Sequence, residues 1–208
     1  MARESKGFAD ANWPAYYRWS AKRPPRELLL RALQQMEWEG KSRRGRKAVE
    51  IGCGAGTDCL ELLRRGWQVL ATDQQHAAIS FLARRVPPRF RNSLTLLSAP
   101  MEEVPFPRAD LVYASYSLPF CSPAEFPRVW KRIRGSLVPG GHFVGQLFGD
   151  RDEWAGGRPL VFHTLREVRA LAKGYKVDLL RETEEEGRSF SGPKHWHYFD
   201  LIQENRRK

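Results

Sequence analysis

Three glycines stand close together in the segment Val49-Glu50-Ile51-Gly52-Cys53-Gly54-Ala55-Gly56-Thr57. The apolar run before them predicts a strand, and the apolar positions after them have helical spacing. Glycine lets a ligand press against the backbone and lets the helix pack on the sheet, while the helix start offers unpaired amides. The segment therefore predicts a site for a nucleotide-like ligand.

An acidic residue follows at a spacing that suits a ribose. Asp73 ends the predicted second strand, about 20 residues after Gly52, where a carboxylate commonly meets ribose hydroxyls. Dinucleotide sites usually have Gly-x-Gly-x-x-Gly, whereas the glycines here stand at 52, 54 and 56. The pattern favours an adenosine ligand without a pyrophosphate.

Alternating strand and helix patterns position these residues. We expect parallel strands at 48–51, 69–72, 94–97, 111–115 and 142–148, with helices at 57–65, 75–85 and 123–137. A Thr164-x-x-Glu167 capping box starts a further helix that ends near Gly174. Two final strands, 175–183 and 195–203, follow without a helix between them and are separated by an acidic loop. They predict an antiparallel pair at the end of a mixed α/β sheet.

The segment upstream of the sheet carries aromatic residues and a helical pattern. Trp13, Tyr16, Tyr17 and Trp19 precede Pro24-Pro25, and a helix is predicted over 26–36. We expect residues 1–46 to form a lid or helical extension and residues 47–208 to form the ligand-binding domain.

Composition limits the function classes. The 208 residues include 35 basic and 24 acidic side chains, a net charge of +11, and 41% hydrophobic residues. Such a chain is typical of a globular protein, and its charge admits nucleic acid or an acidic small substrate as a partner. The basic residues are scattered along the chain, which favours an ordinary solvated surface.

Other classes lack a matching pattern. The three cysteines include no Cys-x-x-Cys pair, so neither a disulfide framework nor a cysteine zinc site is predicted. No uncharged stretch reaches the roughly 20 residues that span a bilayer. The first ten residues carry four charges, which argues against a secretory signal. We expect a cytoplasmic protein without a membrane segment.

Four segments together resemble the successive signatures of class I S-adenosylmethionine-dependent methyltransferases. They are Glu50-Ile51-Gly52-Cys53-Gly54-Ala55-Gly56, Asp73, Asp110-Leu111-Val112-Tyr113-Ala114-Ser115 and Leu137-Val138-Pro139-Gly140-Gly141. The resemblance covers about 47–203 and implies a Rossmann-like, seven-stranded mixed sheet with helices on both faces and an antiparallel last strand. The aromatic upstream segment is similar to the lid of small-molecule members, including tellurite-resistance-type and thiopurine-type enzymes.

The resemblance implies S-adenosyl-L-methionine as cofactor and assigns its contacts. The glycines would pack against methionine and ribose, Glu50 would face the ammonium, and Asp73 would hold the ribose hydroxyls. Pro100 stands where many relatives have an Asp for the adenine amino group. The implied cofactor residues are Tyr17, Arg23, Glu50, Gly52, Cys53, Gly54, Gly56, Asp73, Gln74, Met101, Glu102 and Ser115.

The acceptor would bind after the fourth strand. Ser115-Tyr116-Ser117-Leu118 stands where enzymes that methylate adenine bases or glutamine have Asn/Asp-Pro-Pro-Tyr, which argues against that subclass. Tyr116, Tyr17 and Ser115 are the candidate catalytic residues, and the methyl group would move by in-line displacement to a small-molecule acceptor. The sequence supplies no clear general base.

Alternatives remain open. An RNA methyltransferase would use the basic surface, and a non-catalytic partner protein would bind the cofactor without transferring a methyl group. A dinucleotide-dependent oxidoreductase is the least favoured alternative. His195 and His197 lie two apart on a predicted strand and share a side, but no further ligands stand nearby. Strand packing is favoured for them, and no metal is predicted. The identity of the acceptor and the oligomeric state are not determined by the sequence.

Overall fold

The computed structural model describes residues 12–38, 45–157 and 159–206. Its strands are β1 (Lys47–Ile51), β2 (Gln68–Asp73), β3 (Leu94–Ser98), β4 (Ala109–Ala114), β5 (Leu137–Gly149), β6 (Phe162–His163), β7 (Lys176–Ser189) and β8 (Gly192–Glu204). Its α-helices are α1 (Trp13–Ser20), α2 (Glu27–Trp38), α3 (Thr57–Arg64), α4 (His76–Arg85), α5 (Phe126–Ser136) and α6 (Leu165–Leu171). The charged start at 1–10 and the basic residues at 41–44, 207 and 208 lie outside the described residues.

The strands form one sheet in the order β3-β2-β1-β4-β5-β8-β7. β8 runs antiparallel to both of its neighbours, and the other pairs are parallel. The predicted mixed sheet with an antiparallel last strand is confirmed. The two-residue strand β6, which pairs with β5, adds an eighth strand that is too short to leave a sequence pattern. Strand order reverses between β1 and β4, where open α/β sheets hold their ligands.

Helices cover both faces of the sheet, as predicted. One core cluster joins β4 and β5 to α5 through Val129, Trp130 and Phe143. The other joins β1 and β2 to α2, α3 and α4 through residues such as Leu29 and Leu62. Because both faces are covered, the parallel strands are almost continuously apolar, and β1 is buried from its second residue onward.

Two predicted boundaries were wrong. The acidic residues from 182 to 186 do not form a loop or strand end, because β7 continues to Ser189 and β8 begins at Gly192. Arg151, which follows β5, donates to Glu182 and Glu184 at 2.8 Å, and His195 on β8 contacts Glu184 and Glu186. β5 also begins five residues before the predicted position. Long strands thus replace the expected loop, and the hairpin reaches toward α1.

The upstream segment contains a short helix, α1, ahead of the helix predicted over 26–36. Asn12 caps α1 by accepting from the amide of Ala15 at 3.0 Å, and Tyr17 is buried on its inner face. α2 buries Leu29, Leu33 and Met36 in the main core. The division at residue 46 stays a prediction. Within the described residues, no helix has the length and apolar character needed to cross a membrane.

Candidate active site

The glycine turn lies at the carboxyl end of β1, directly before α3. Gly52, Gly54 and Gly56 have φ angles of 71°, 51° and 75°, values that side chains other than glycine rarely adopt. A Cβ on Gly52 would lie 2.5 Å from Cβ of Ser117, and one on Gly56 would overlap Leu82. A Cβ on Gly54 would meet no described heavy atom within 4 Å. The backbone at Gly54 therefore borders open space.

Asp73 faces this turn from the end of β2. Its Oδ2 accepts from the amide of Gly54 at 3.0 Å, and its Oδ1 accepts from the amide of Gln75 at 2.9 Å. Burial raises the pKa of the Asp73 carboxyl, and the two amide hydrogen bonds oppose that rise. The carboxylate thus links the glycine turn to the start of α4 and retains lone pairs toward the open space.

A cavity of about 490 Å³ opens at this edge of the sheet. It lies over the strand reversal and is bordered by α1, the ends of β1, β2 and β4, and the β7–β8 hairpin. Many of the residues selected from the sequence line it, namely Tyr17, Gly52, Gly54, Asp73, Gln74, Met101, Ser115 and Tyr116. The tertiary structure brings these residues from distant segments to one site.

Three of the selected residues lie beside the cavity without lining it. Glu50 is 3% exposed, and its Oε2 has no hydrogen-bond partner in the described part of the chain. Burial, followed by the nearby charge of Asp58, holds the pKa of the Glu50 carboxyl well above its usual range. Cys53 is buried and Gly56 packs against α4.

Two further selected residues are engaged in contacts with the protein. Arg23 forms an ion pair with Asp58. Glu102 accepts from the amide of Ser122 at 2.9 Å and from Sγ of Cys121 at 3.3 Å. Their roles toward a cofactor stay predictions.

Of the two candidate catalytic tyrosines, Tyr17 is buried and Tyr116 is half-buried. Burial raises the pKa of Tyr17 above its ordinary value, and the charge of Asp73 raises it further. Burial likewise raises the pKa of Tyr116, and Tyr198 adds to the rise. Both side chains therefore keep their protons at neutral pH and act as hydrogen-bond donors. Tyr116 also has a φ of 51°, so its backbone is held in a conformation that is costly for a side-chain-bearing residue.

The structure adds aromatic residues that the sequence did not single out. Phe148 of β5, Trp154 after β5, and Trp196 and Tyr198 of β8 line the cavity opposite Gly54. Only the high aromatic content of the chain could have indicated them. Arg26 also lines the cavity, with its guanidinium carbon 5.0 Å from the centre of the Tyr116 ring.

Aromatic rings also close the cavity from above. Tyr16 and Trp19 of α1 contact Phe190 at the hairpin tip, with ring centres 5.7 and 5.9 Å apart. Trp13 stacks on Tyr17 at 6.1 Å. The first helix and the hairpin thus meet over the site, and the role of residues 1–46 as a lid stays a prediction.

The histidine pair belongs to the hairpin. His197 is fully buried, its Nδ1 accepts from the amide of Arg151 at 3.0 Å, and its Nε2 donates to Glu182 at 3.0 Å. His195 contacts Glu186 at 2.6 Å. Both rings share one side of β8, as the spacing predicts, and neither is among the cavity-lining residues.

A separate group of ligand-type side chains lies where β5, β7 and β8 meet. His142, Asp178 and Glu204 place one potential ligand atom each within 4.8 Å of one another. The ammonium of Lys176 lies 2.7 Å from Asp178 and 3.6 Å from Glu204. A lysine cation therefore already neutralises these carboxylates.

Comparison with known proteins defines the class. Residues 48–141 match the family model described as a methyltransferase domain. These residues run from β1 into β5 and include the glycine turn and Asp73. The resemblance to a methyltransferase inferred from the sequence is confirmed for this part of the chain.

The chain is also similar to individual proteins of known activity or structure. Magnesium-protoporphyrin O-methyltransferase of Rhodobacter capsulatus is 31% identical over 98 residues, which are 45% of this chain and 44% of that protein. The chain thus matches less than half the length of this curated relative. TehB from Haemophilus influenzae aligns with a TM-score of 0.67 at 15% identity, over 83% of this chain and 62% of that one. The magnesium protoporphyrin IX methyltransferase of Synechocystis PCC 6803, solved with bound S-adenosylmethionine, aligns with a TM-score of 0.67 at 11% identity, over 98% and 100%. The two structures show the fold alone.

The residues present fit the cofactor of this class. The open space in front of Gly54 admits a flat group against the backbone. The unpartnered Oε2 of Glu50 suits a neighbouring ammonium, and Asp73 points a carboxylate toward the same space. Glycine, carboxylate and buried acid thus occur together where an adenosyl amino acid would need them.

Proposed function

We propose that the protein transfers a methyl group from S-adenosylmethionine to a small-molecule acceptor. The observation that carries this proposal is the single cavity bordered by Gly54 and Asp73 at one end and by Tyr116, Phe148 and Trp196 at the other. A donor held at the first end would present its methyl group to an acceptor at the second.

The cofactor half of the cavity would be held by groups already in place. Asp73 would accept from the ribose hydroxyls, since its amide partners fix the carboxylate and leave lone pairs available. Glu50 would face the ammonium of the methionine part. Gln74 and Met101, which line the cavity, would lie near the adenine. These four roles follow the assignment implied by the resemblance.

Methyl transfer requires mainly that the protein position the cofactor and the acceptor. When bound, the cofactor supplies a methyl carbon that its sulfonium makes electrophilic. The chain holds the acceptor in line with that carbon and excludes water, and alignment at about 3 to 3.5 Å accounts for much of the barrier reduction. Tyr116 and Tyr17 act as hydrogen-bond donors that orient the reactants, because both remain protonated.

A general base is not evident at the acceptor end. Among the described residues that line the cavity, the carboxylates are Asp73 and Glu185, and no histidine or lysine joins them. Asp73 is assigned to the ribose, and Glu185 is exposed on the hairpin. An acceptor that arrives with an ionised or unprotonated nucleophile therefore suits the site best.

Two titrations test the cofactor. Calorimetry with S-adenosylhomocysteine and with NADH should show binding of the first only. Asp73→Asn should weaken the binding of S-adenosylhomocysteine at least about tenfold, a loss typical of an unpaired hydrogen bond to a charged group. Binding of NADH instead would overturn the cofactor assignment.

Methyl-labelled cofactor tests the acceptor class. The labelled cofactor is incubated with separate small-molecule and RNA pools, and label is expected in the small-molecule pool. The net charge of +11 supports RNA as the second candidate, and label in RNA with a steep salt dependence would replace the proposal. Cofactor binding without transfer to either pool would indicate a non-catalytic partner protein. A cytoplasmic location stays a prediction.

A further inference from the structure

The acceptor end of the cavity is built from aromatic rings that brace one another. We call Tyr116, Phe148, Trp154, Trp196 and Tyr198 the aromatic wall. Its ring centres lie 5.4 Å apart for Tyr116 and Tyr198, 5.9 Å for Tyr116 and Trp196, and 6.0 Å for Phe148 and Trp196. Most of these contacts are edge-to-face, a favourable geometry for aromatic pairs.

A buried ion pair fixes the wall from behind. The ammonium of Lys194 lies 3.8 Å from the ring centre of Trp196 and 4.4 Å from that of Trp154. It pairs with Asp152, and both side chains are at most 1% exposed. Side chains held in this way lose little conformational entropy when a flat molecule binds. Ordering the site therefore costs less binding free energy.

Arg26 brings a positive charge to the same end. Only its backbone amide meets Asp58, at 2.9 Å. Nε of Arg26 is buried without an acceptor, and no carboxylate pairs with its guanidinium within the described residues. Glu185, the other charged group at this end besides Arg188, is exposed on the hairpin and lies 3.5 Å from the Tyr198 hydroxyl. A planar cation that lacks a counter-ion and lies in an aromatic cavity suits a carboxylate.

We propose that the acceptor is a planar aromatic carboxylate of one or two rings. Its ring system would lie against the aromatic wall, and its carboxylate would pair with Arg26. The cavity of about 490 Å³ must also hold the cofactor, which favours a small acceptor. This inference rests on the proposed methyl transfer and names the substrate class for it.

The carboxylate of the cofactor's methionine part is a second source of the same chemistry. If Arg26 bound that group, Arg26→Gln would weaken the binding of S-adenosylhomocysteine, which has the amino acid part. It would not weaken the binding of 5′-methylthioadenosine, which lacks that part. If Arg26 binds the acceptor, Arg26→Gln should change the affinity for neither of these two ligands. The two sources are therefore separable by comparing these two ligands.

Calorimetry on the full-length protein saturated with S-adenosylhomocysteine tests the proposal. Naphthalene-2-carboxylate should bind at least about tenfold more tightly than naphthalene-2-carboxamide, which lacks the charge, and than decahydronaphthalene-2-carboxylate, which lacks the flat ring. Arg26→Gln should remove about tenfold from the affinity for naphthalene-2-carboxylate and leave the carboxamide unchanged. Arg31→Gln, an exposed position on α2, is the matched control and should change neither.

Three results would overturn the inference. Equal affinity for the charged and neutral aromatic probes would remove the role of Arg26, and equal affinity for the flat and saturated carboxylates would remove the role of the wall. Weaker binding of S-adenosylhomocysteine, but not of 5′-methylthioadenosine, to Arg26→Gln would assign Arg26 to the cofactor.

The failure of this inference can be told apart from the failure of the proposed function. If the protein binds S-adenosylhomocysteine and methylates another small molecule but shows no preference for flat carboxylates, only this inference is wrong. A protein that does not bind S-adenosylhomocysteine loses the proposed function as well. Retained binding of 5′-methylthioadenosine shows that Arg26→Gln is folded.

Discussion

Arg23 and Asp58 form a two-point ion pair that ties the N-terminal segment to the glycine turn. The two guanidinium nitrogens lie 3.0 and 2.6 Å from the two carboxylate oxygens. Asp58 lies in the first turn of α3, where a negative charge complements the helix dipole. It also accepts from the Tyr113 hydroxyl at 3.0 Å. The pair therefore anchors the chain after α1 directly beside the predicted cofactor site.

Loss of this pair should destabilise the fold. Arg23→Gln leaves the Asp58 carboxylate, 2% exposed, without its charged partner. We expect the free energy of unfolding to fall by about 2 kcal/mol, the contribution of a hydrogen bond to a charged group. Urea denaturation measures the change. Arg128→Gln breaks an exposed pair with Glu125 and should cost about 0.5 kcal/mol. Equal losses in the two variants would contradict the anchoring role of Arg23.

Two glycine substitutions should separate binding from stability. Gly54→Ala places its Cβ in open space, so beyond about 1 kcal/mol of backbone strain the fold should tolerate it, while S-adenosylhomocysteine should lose at least about tenfold in affinity. Gly56→Ala would collide with Leu82 and should destabilise the protein more. Calorimetry and thermal unfolding of both variants provide the measurements. Unchanged affinity in Gly54→Ala would place the ligand elsewhere.

Glu50→Gln should raise stability at alkaline pH and weaken cofactor binding. The pKa of Glu50 is raised in the folded state by burial, so folding favours the protonated acid. The free energy of unfolding of the wild type should therefore fall as pH rises above about 4.3, the unfolded value, through the raised pKa. Glutamine mimics the protonated acid and removes that loss, but it offers no charge to an ammonium.

Unfolding at pH 5 and pH 8 checks the first half of this prediction, and calorimetry with S-adenosylhomocysteine checks the second. We expect the free energy of unfolding of the variant, relative to that of the wild type, to be higher at pH 8 than at pH 5. A variant that is less stable at pH 8 and binds S-adenosylhomocysteine normally would contradict both halves.

Phe190→Ala should speed the release of S-adenosylhomocysteine. Phe190 is 41% exposed, so its loss costs little stability, but it removes the ring contacts that join the hairpin tip to Tyr16 and Trp19. An aromatic pair contributes about 1 kcal/mol, equivalent to about fivefold in rate. Stopped-flow tryptophan fluorescence gives the rate. Val177→Ala, a similarly exposed apolar position on β7, is the control and should not change it.

The hairpin shows where sequence patterns lose their power. Glu182 and Glu184 belong to an acidic run that is typical of a loop, yet they lie within β7 because Arg151, more than 30 positions earlier, pairs with both. The sequence favoured Arg23, whose role toward a cofactor stays a prediction. In the structure Arg23 pairs with Asp58, and Arg26 lies at the cavity.

The sequence by itself determined the alternation of strands and helices, the glycine turn and Asp73. These features depend on neighbours in the chain: periodic burial, the positive φ angles of glycine, and the strand end that carries the carboxylate. The tertiary structure alone decided which rings form the aromatic wall and which arginine lies beside it. Phe148, Trp154, Trp196 and Tyr198 come from segments that meet only because β8 inserts antiparallel beside β5, and contacts of that kind leave no local periodicity to read.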